Sequence, residues 1–206
     1  MPKPGFMRFE RMAGAKDNLD KAAAGEGPVT RADLAIVRAV QPFSENPLVK
    51  GIGKASELAD QPPLIAASIA TDVVGLAVRD RRLARTGLRM LASHALATGI
   101  KTLLKDNVDR PRPEKVEREG EHDIELGDSE DGEERSFPSG HSAGAMAVAR
   151  AVVREYPGSA PFAHTIGLAA SAVQIPRKAH FPSDVVVGIA IGLASEALVG
   201  LVLRRR

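Results

Sequence analysis

The sequence contains no cysteine and no tryptophan, and aromatic residues make up only 3% of its 206 positions. Without cysteine, neither a disulfide nor a thiolate metal site is possible. The shortage of aromatic residues argues against an aromatic-rich β-sandwich, and the abundance of small apolar residues favours closely packed helices. The formal net charge is only +2, and the basic residues are scattered rather than striped. No nucleic-acid partner is therefore expected.

The length suits one domain with a real core. We predict a flexible N-terminal arm at residues 1–29, without the apolar segment of a cleaved signal peptide. Residues 30–206 are predicted to form a single helical domain. Within it, residues 114–135 contain eleven acidic residues against three basic ones. This composition predicts a solvated, largely disordered loop, and the alternative is a segment that binds divalent cations or a basic partner.

Apolar periodicity outside these segments predicts an all-α bundle of about five to seven helices. Thr30 is the expected N-cap of the first helix, and Asn46-Pro47 should start the second. The expected helices are 31–42, 47–58, 62–78, 87–104, 141–155, 161–175 and 183–203.

The mean hydropathy of −0.10 hides a division between polar segments and long apolar helices. Residues 183–203 are long enough to span a bilayer, with Glu196 as the exception, while 62–78 and 87–104 are borderline. If the apolar helices alternate across a membrane, the basic residues at 79–85, 154 and 204–206 fall on one side. Because positive loops mark the cytoplasmic face, we expect a multi-pass membrane protein whose motif residues lie on the extracytoplasmic side.

Three short motifs in the C-terminal half carry residues suited to phosphate chemistry. Lys105 and Arg112 flank a proline-stiffened loop, and their cations suit phosphate oxygens, with Arg110 as a spare candidate. Ser139 and Gly140 precede an apolar helix, whose N-terminus would offer free amides to an anion. The adjacent His141 is placed to act as a general acid and base.

The third motif holds His180 and Asp184, four residues apart around a helix start at Pro182. A carboxylate bonded to one imidazole nitrogen fixes the tautomer and makes the other nitrogen a better nucleophile. Each motif alone is more often an ordinary cap or surface pair. Their order and joint occurrence give them weight.

Together the motifs resemble the type 2 phosphatidic acid phosphatase family, relatives of the vanadium haloperoxidases. The family pattern is Lys-x6-Arg-Pro, Pro-Ser-Gly-His and Ser-Arg-x5-His-x3-Asp, and the first two parts are complete here. The resemblance implies that His180 attacks phosphorus, that Asp184 orients it and that His141 is the acid and base. Oxygens would be held by Lys105, Arg112, Ser139 and Gly140. It implies no metal or other cofactor, and a lipid phosphate or diphosphate as substrate.

The third motif departs from the family pattern at two positions. Val173 stands in place of the serine and Gln174 in place of the arginine. Glutamine donates a hydrogen bond but brings no charge to a developing dianion. We predict that Gln174 binds phosphate as a neutral donor and that Arg177, or the adjacent Lys178, compensates for the missing charge. Two alternatives remain: a soluble enzyme of the acid phosphatase type, and a catalytically weak anion-binding membrane protein.

Overall fold

The structure is a computed structural model that describes residues 14–24, 26–127 and 129–204. Over these residues the chain forms nine α-helices and no β-strand, which confirms the predicted all-α class. The helices are α1 (14–22 in the described part), α2 (Pro28–Val40), α3 (Pro47–Ser56), α4 (Gln61–Ala77), α5 (Arg81–Lys105), α6 (Pro113–Glu119), α7 (Gly140–Glu155), α8 (Ala160–Ala172) and α9 (Pro182–Arg204).

Seven helices overlap with predicted ones, although α5 begins at Arg81, six residues before its predicted start, and the short α1 and α6 are additional. Helix α1 falls within the expected flexible arm, 1–29, of which residues 1–13 and 25 lie outside the described residues. Leu19 and Ala22 lie on one face of α1 and are buried in a hydrophobic cluster. The described part of the arm is therefore corrected to a packed helix. Other members of the cluster are Leu34, Val37, Val116 and Phe181.

Helix α6 falls within the acidic segment 114–135. Val116 is fully buried beneath it, and the buried Glu117 carboxylate accepts a hydrogen bond from Lys178. The expectation of a solvated loop is therefore wrong for residues 114–119, where one apolar side chain and one ion pair hold the helix to the core. Residue 128 is outside the described part, and disorder of the remaining segment stays a prediction.

The first helix starts were predicted with mixed success. Asn46 caps α3 as expected, since its Oδ1 accepts a hydrogen bond from the Leu48 amide at 2.8 Å. Thr30 does not cap α2, which begins two residues earlier at Pro28. Proline is preorganised for the first helical position, and this preference sets the start of α2.

Helix α7 is central and packs against α5, α8 and α9. Glycines let α9 touch the α7 backbone, since a Cβ at Gly188 would lie 2.5 Å from the Ser139 carbonyl oxygen. One at Gly192 would lie 2.4 Å from the Ala143 carbonyl oxygen. This contact brings the N-termini of the two helices together, and the Ser139 amide donates to the Asp184 carbonyl at 3.1 Å.

Candidate active site

His180 lies just before α9 and is almost fully buried. Its Nδ1 is 2.8 Å from the carbonyl oxygen of Ser136. A carbonyl only accepts, so Nδ1 carries the proton and Nε2 keeps its lone pair. Burial lowers the pKa of His180, which favours the neutral ring. The imidazole is therefore held in the tautomer and charge state that a nitrogen nucleophile needs.

Asp184, in the first turn of α9, is completely buried. Its Oδ2 accepts hydrogen bonds from the Ser136 hydroxyl at 2.6 Å and from the Phe181 amide at 2.8 Å. The predicted direct bond to His180 is absent from this arrangement, because Oδ2 and Nδ1 are 3.9 Å apart. The carboxylate instead fixes Ser136, whose carbonyl in turn holds the imidazole.

Arg110, the spare phosphate-binding candidate, is 3% exposed and fully engaged. It donates to Asp184 Oδ1 at 2.5 Å and to Asp33 Oδ2 at 2.8 Å. Its guanidinium also stacks 4.3 Å from the centre of the Phe181 ring. Arg110 therefore ties α2 to α9 and is not available to an anion. The sequence motifs do not include Asp33, although its position beside Leu34 on the buried face of α2 is a signal for it.

Lys105 and Arg112 bring two cations towards His180. The Lys105 ammonium donates to the Arg135 carbonyl, and burial together with the charges of Arg112 and Lys101 lowers its pKa to about 8. Arg112 caps the start of α6, yet its buried Nε has no hydrogen-bond partner. Its guanidinium forms no ion pair with any residue that the structure describes. Both charges act on His180, so its imidazole lies in a cationic environment.

The start of α7 supplies amide donors, as predicted. Ser139 is its N-cap, and the Ser139 hydroxyl oxygen accepts from Ser142 Oγ at 2.9 Å. The first amides of a helix lack intrahelical acceptors, and Gly140 leaves the approach to them open. His141 follows, half-buried, with its Nε2 3.8 Å from Asp60 Oδ1. That spacing leaves the imidazole of His141 able to exchange a proton with a ligand at the helix start.

Gln174 lies elsewhere than predicted. It is 1% exposed, and its amide nitrogen donates to Ser56 Oγ at 3.1 Å and to the Ala170 carbonyl at 3.0 Å. Both amide hydrogens are thereby used, so the predicted donation to phosphate is corrected. Gln174 joins α8 to α3.

Arg177 is also drawn towards α3. Its Nη1 donates to the Gly53 carbonyl at 2.8 Å and to Ser56 Oγ at 2.9 Å, and its Nη2 lies 3.6 Å from Glu57. Gly53 gives the Arg177 side chain room, because a Cβ there would lie 2.9 Å from Arg177 Cδ. Compensation by Arg177 stays a prediction. A different cation, Lys101, lies beside Gly140 and was not singled out in the sequence.

The PAP2 superfamily model matches residues 86–206, more than half of the chain. A search of curated proteins finds no match. Among solved structures, a transmembrane PAP2 type phosphatidylglycerolphosphate phosphatase from Bacillus subtilis is similar, with 22% identity and a TM-score of 0.63. That comparison covers 100% of this chain and 98% of the other.

A second solved structure, Aquifex aeolicus LpxE, is 20% identical with a TM-score of 0.56, over 80% of this chain and 92% of that one. Both likenesses concern the fold. The family match covers all three motifs, most of α5 and the whole of α6, α7 and α9. The chain therefore belongs to the PAP2 superfamily.

Proposed function

We propose that this protein is a membrane phosphatase that hydrolyses a lipid phosphate or diphosphate through a phosphohistidine intermediate. The observation that carries the proposal is the pairing of His180 with Arg112. A buried imidazole keeps Nε2 free by donating from Nδ1 to Ser136, and a guanidinium with a buried, unpartnered Nε acts on it. A phosphate monoester would supply the electrophile and the missing anion together.

In the first step, Nε2 of His180 bonds to phosphorus while the phosphorus–oxygen ester bond breaks. His141 gives its proton to the leaving oxygen. Lys105, Arg112 and the amides at Gly140 hold the non-bridging oxygens, whose charge is spread over the transition state. In the second step, water attacks phosphorus, His141 takes the water proton, and the nitrogen–phosphorus bond breaks to release phosphate.

The apolar exterior of the bundle supports a lipid substrate. Helix α9 has one stretch, Pro182–Leu203, long and apolar enough to cross a membrane, with a mean hydropathy of 2.3. Only 39% of its best window is buried within the protein, so much of it faces outward. The exposed large apolar side chains on α4, α8 and α9 include Ile69, Val73, Val74, Leu76, Phe162, Ile166, Leu198, Leu201 and Val202.

Such a surface is costly in water and favourable in hydrocarbon, which supports the membrane proposal over a soluble phosphatase. The similar Bacillus subtilis structure is a transmembrane phosphatidylglycerolphosphate phosphatase, which also supports a phospholipid substrate. Among the described helices only α9 is long and apolar enough to cross a membrane by itself, and we propose that the helices at 62–78, 87–104, 141–155 and 161–175 cross beside it. The arginine-rich end would be cytoplasmic and the phosphate site extracytoplasmic.

The proposal is tested on detergent-purified protein with EDTA present. We expect phosphate release from phosphatidic acid, phosphatidylglycerol phosphate or a polyprenyl diphosphate, and an acid-labile phosphoryl group trapped on the enzyme. His180→Ala should abolish both, with at least about a thousandfold loss of rate. Absence of turnover by the wild type on the whole panel would refute the activity, and a normal rate in His180→Ala would refute the nucleophile.

Membrane embedding is tested separately. After alkaline carbonate washing, membranes from expressing cells should retain the protein. Release into the wash would contradict the membrane proposal while leaving the phosphatase chemistry intact. An accessibility assay on cysteines introduced at residues 81 and 131 tests orientation, and labelling of residue 81 from outside the cell would reverse it.

A further inference from the structure

Lys101 is a cation of the site that belongs to none of the three motifs. It lies four residues before Lys105, so both side chains leave the same face of α5. A Cβ built on Gly140 would lie 3.2 Å from Lys101 Cδ and 3.3 Å from its Nζ. The ammonium therefore sits against the first residue of α7, where the phosphate-binding amides begin.

This position is electrostatically unfavourable for a cation without an anion. The N-terminus of a helix carries partial positive charge and repels an ammonium group. Lys105 is near enough that the Lys101 charge contributes to lowering the pKa of Lys105. Asp60 is the attractive neighbour, but it is not within ion-pair distance of Lys101. Among the described residues, Lys101 has no hydrogen-bond or ion-pair partner.

Lys101 also carries a positive charge of the kind that the third motif lacks. Position 174 holds a neutral side chain whose amide hydrogens are both used. Arg177 Nη1 donates its hydrogen bonds to Gly53 and Ser56 of α3. Lys101, in contrast, presents an unpaired ammonium at the helix start. Of these positions, the one with an unpaired cation is therefore Lys101 on α5, and not Gln174 or Arg177 in the segment that precedes α9.

We propose that Lys101 supplies the positive charge that Gln174 does not, by binding a non-bridging oxygen of the substrate phosphate at the N-terminus of α7. The inference rests on the proposed phosphatase function and adds one phosphate-binding residue to it. Lys101, Lys105 and Arg112 would then provide three cations to the substrate phosphate, whose negative charge is redistributed during transfer. Its contribution is greatest when the oxygens are fixed in the transition state.

The test compares Lys101→Gln, Lys101→Met and Lys101→Arg with the wild type. The two neutral variants should lower kcat/KM about a hundredfold, mainly through kcat, and should weaken inhibition by orthovanadate by a similar factor. Lys101→Arg, which keeps the charge, should retain activity within about tenfold. Lys21→Gln, an exposed lysine on α1, is the charge-matched control and should behave as the wild type.

Arg177→Gln distinguishes Arg177 from Lys101 as the source of the charge missing at position 174. It should lower activity less than Lys101→Gln does. The inference is overturned if both neutral Lys101 variants keep kcat/KM and vanadate affinity within about threefold of the wild type. It is also overturned if Lys101→Arg is as damaged as Lys101→Gln, because the role would then be steric. An inactive wild type would refute the proposed function alone, since binding of orthovanadate by calorimetry still tests Lys101.

Discussion

The catalytic end of the bundle carries Lys101, Lys105 and Arg112, whereas the opposite end carries Arg89 and other arginines. From Arg89 to Lys105 helix α5 runs sixteen residues, or about 24 Å. At the opposite end, an acidic side chain lies within ion-pair distance of Arg85, Arg89, Arg150 and Arg154. At the catalytic end these three cations have none within ion-pair distance among the described residues.

The opposite end is organised around two buried carboxylates. Glu196 of α9, 1% exposed, accepts from Arg89 Nη1 at 2.9 Å. Arg150 and Arg154 of α7 both lie with Nε 3.8 Å from it. Glu155 lies 3.1 Å from Arg89 Nε. These contacts join α5, α7 and α9, so the charges there fasten the helices.

The same contrast appears within a single loop. Arg110 and Arg112 are two residues apart, yet Arg110 is neutralised by Asp33 and Asp184. Arg112 has a buried Nε without any partner. Buried charges are costly unless paired, so the cations left unpaired near His180 support the proposed binding of a phosphate anion there. Pairing, and not burial alone, separates structural cations from binding ones.

Removing the central carboxylate of the opposite end should have the largest effect. Glu196→Ala leaves the buried Arg89 without its closest partner, and breaking such a pair costs about 3–5 kcal/mol of stability. Thermal unfolding in detergent should show a large fall in melting temperature, while kcat/KM of the protein that remains folded stays within about threefold. Glu114→Ala, at an exposed acid, is the control and should change little. An unchanged melting temperature in Glu196→Ala would break the comparison.

At the catalytic end, Arg112→Ala should reverse that pattern. Loss of one positioned cation costs about 2.7–4 kcal/mol in the transition state, or about 10²–10³-fold in rate. Stability should not fall, because no ion pair is broken. Arg110→Ala is the matched comparison and should destabilise the fold by exposing two buried carboxylates to each other. The distinction fails if Arg112→Ala unfolds as readily as Arg110→Ala.

Local signals predicted much of the site. Gly140 and His141 begin α7, and Asp184 lies in the first turn of α9, as the proline and glycine positions indicated. Apolar periodicity predicted most helices for a similar reason, because helix formation and helix capping both depend on residues only a few positions away.

Long-range partners could not be predicted in this way. Gln174 has the right spacing for a phosphate donor, but its hydrogen bond to Ser56 spans 118 residues. Asp33 reaches Arg110 across 77 residues. The Ser136 carbonyl, not the Asp184 carboxylate, accepts the hydrogen bond from His180 Nδ1, because the loop before α7 brings that carbonyl to the imidazole. Tertiary contacts determine which polar side chains are already hydrogen-bonded within the fold. The spacing of residues in the sequence does not predict these contacts.

The smallest expected effect concerns the protonation of Lys105. Its pKa is lowered from 10.5 to about 8 by burial first and then by neighbouring cations. The ammonium is therefore present below about pH 8 and is lost as the pH rises through that value, so kcat/KM should fall on the alkaline side by up to about tenfold per unit. Bound phosphate favours the charged form, so kcat should fall at a higher pH than kcat/KM. Lys105→Arg should move the alkaline limb above pH 10, because arginine stays charged. A flat kcat/KM profile up to pH 10 in the wild type would mean that Lys105 has an acidic partner. The two ends of the bundle would then differ less in the pairing of their cations than the contacts indicate.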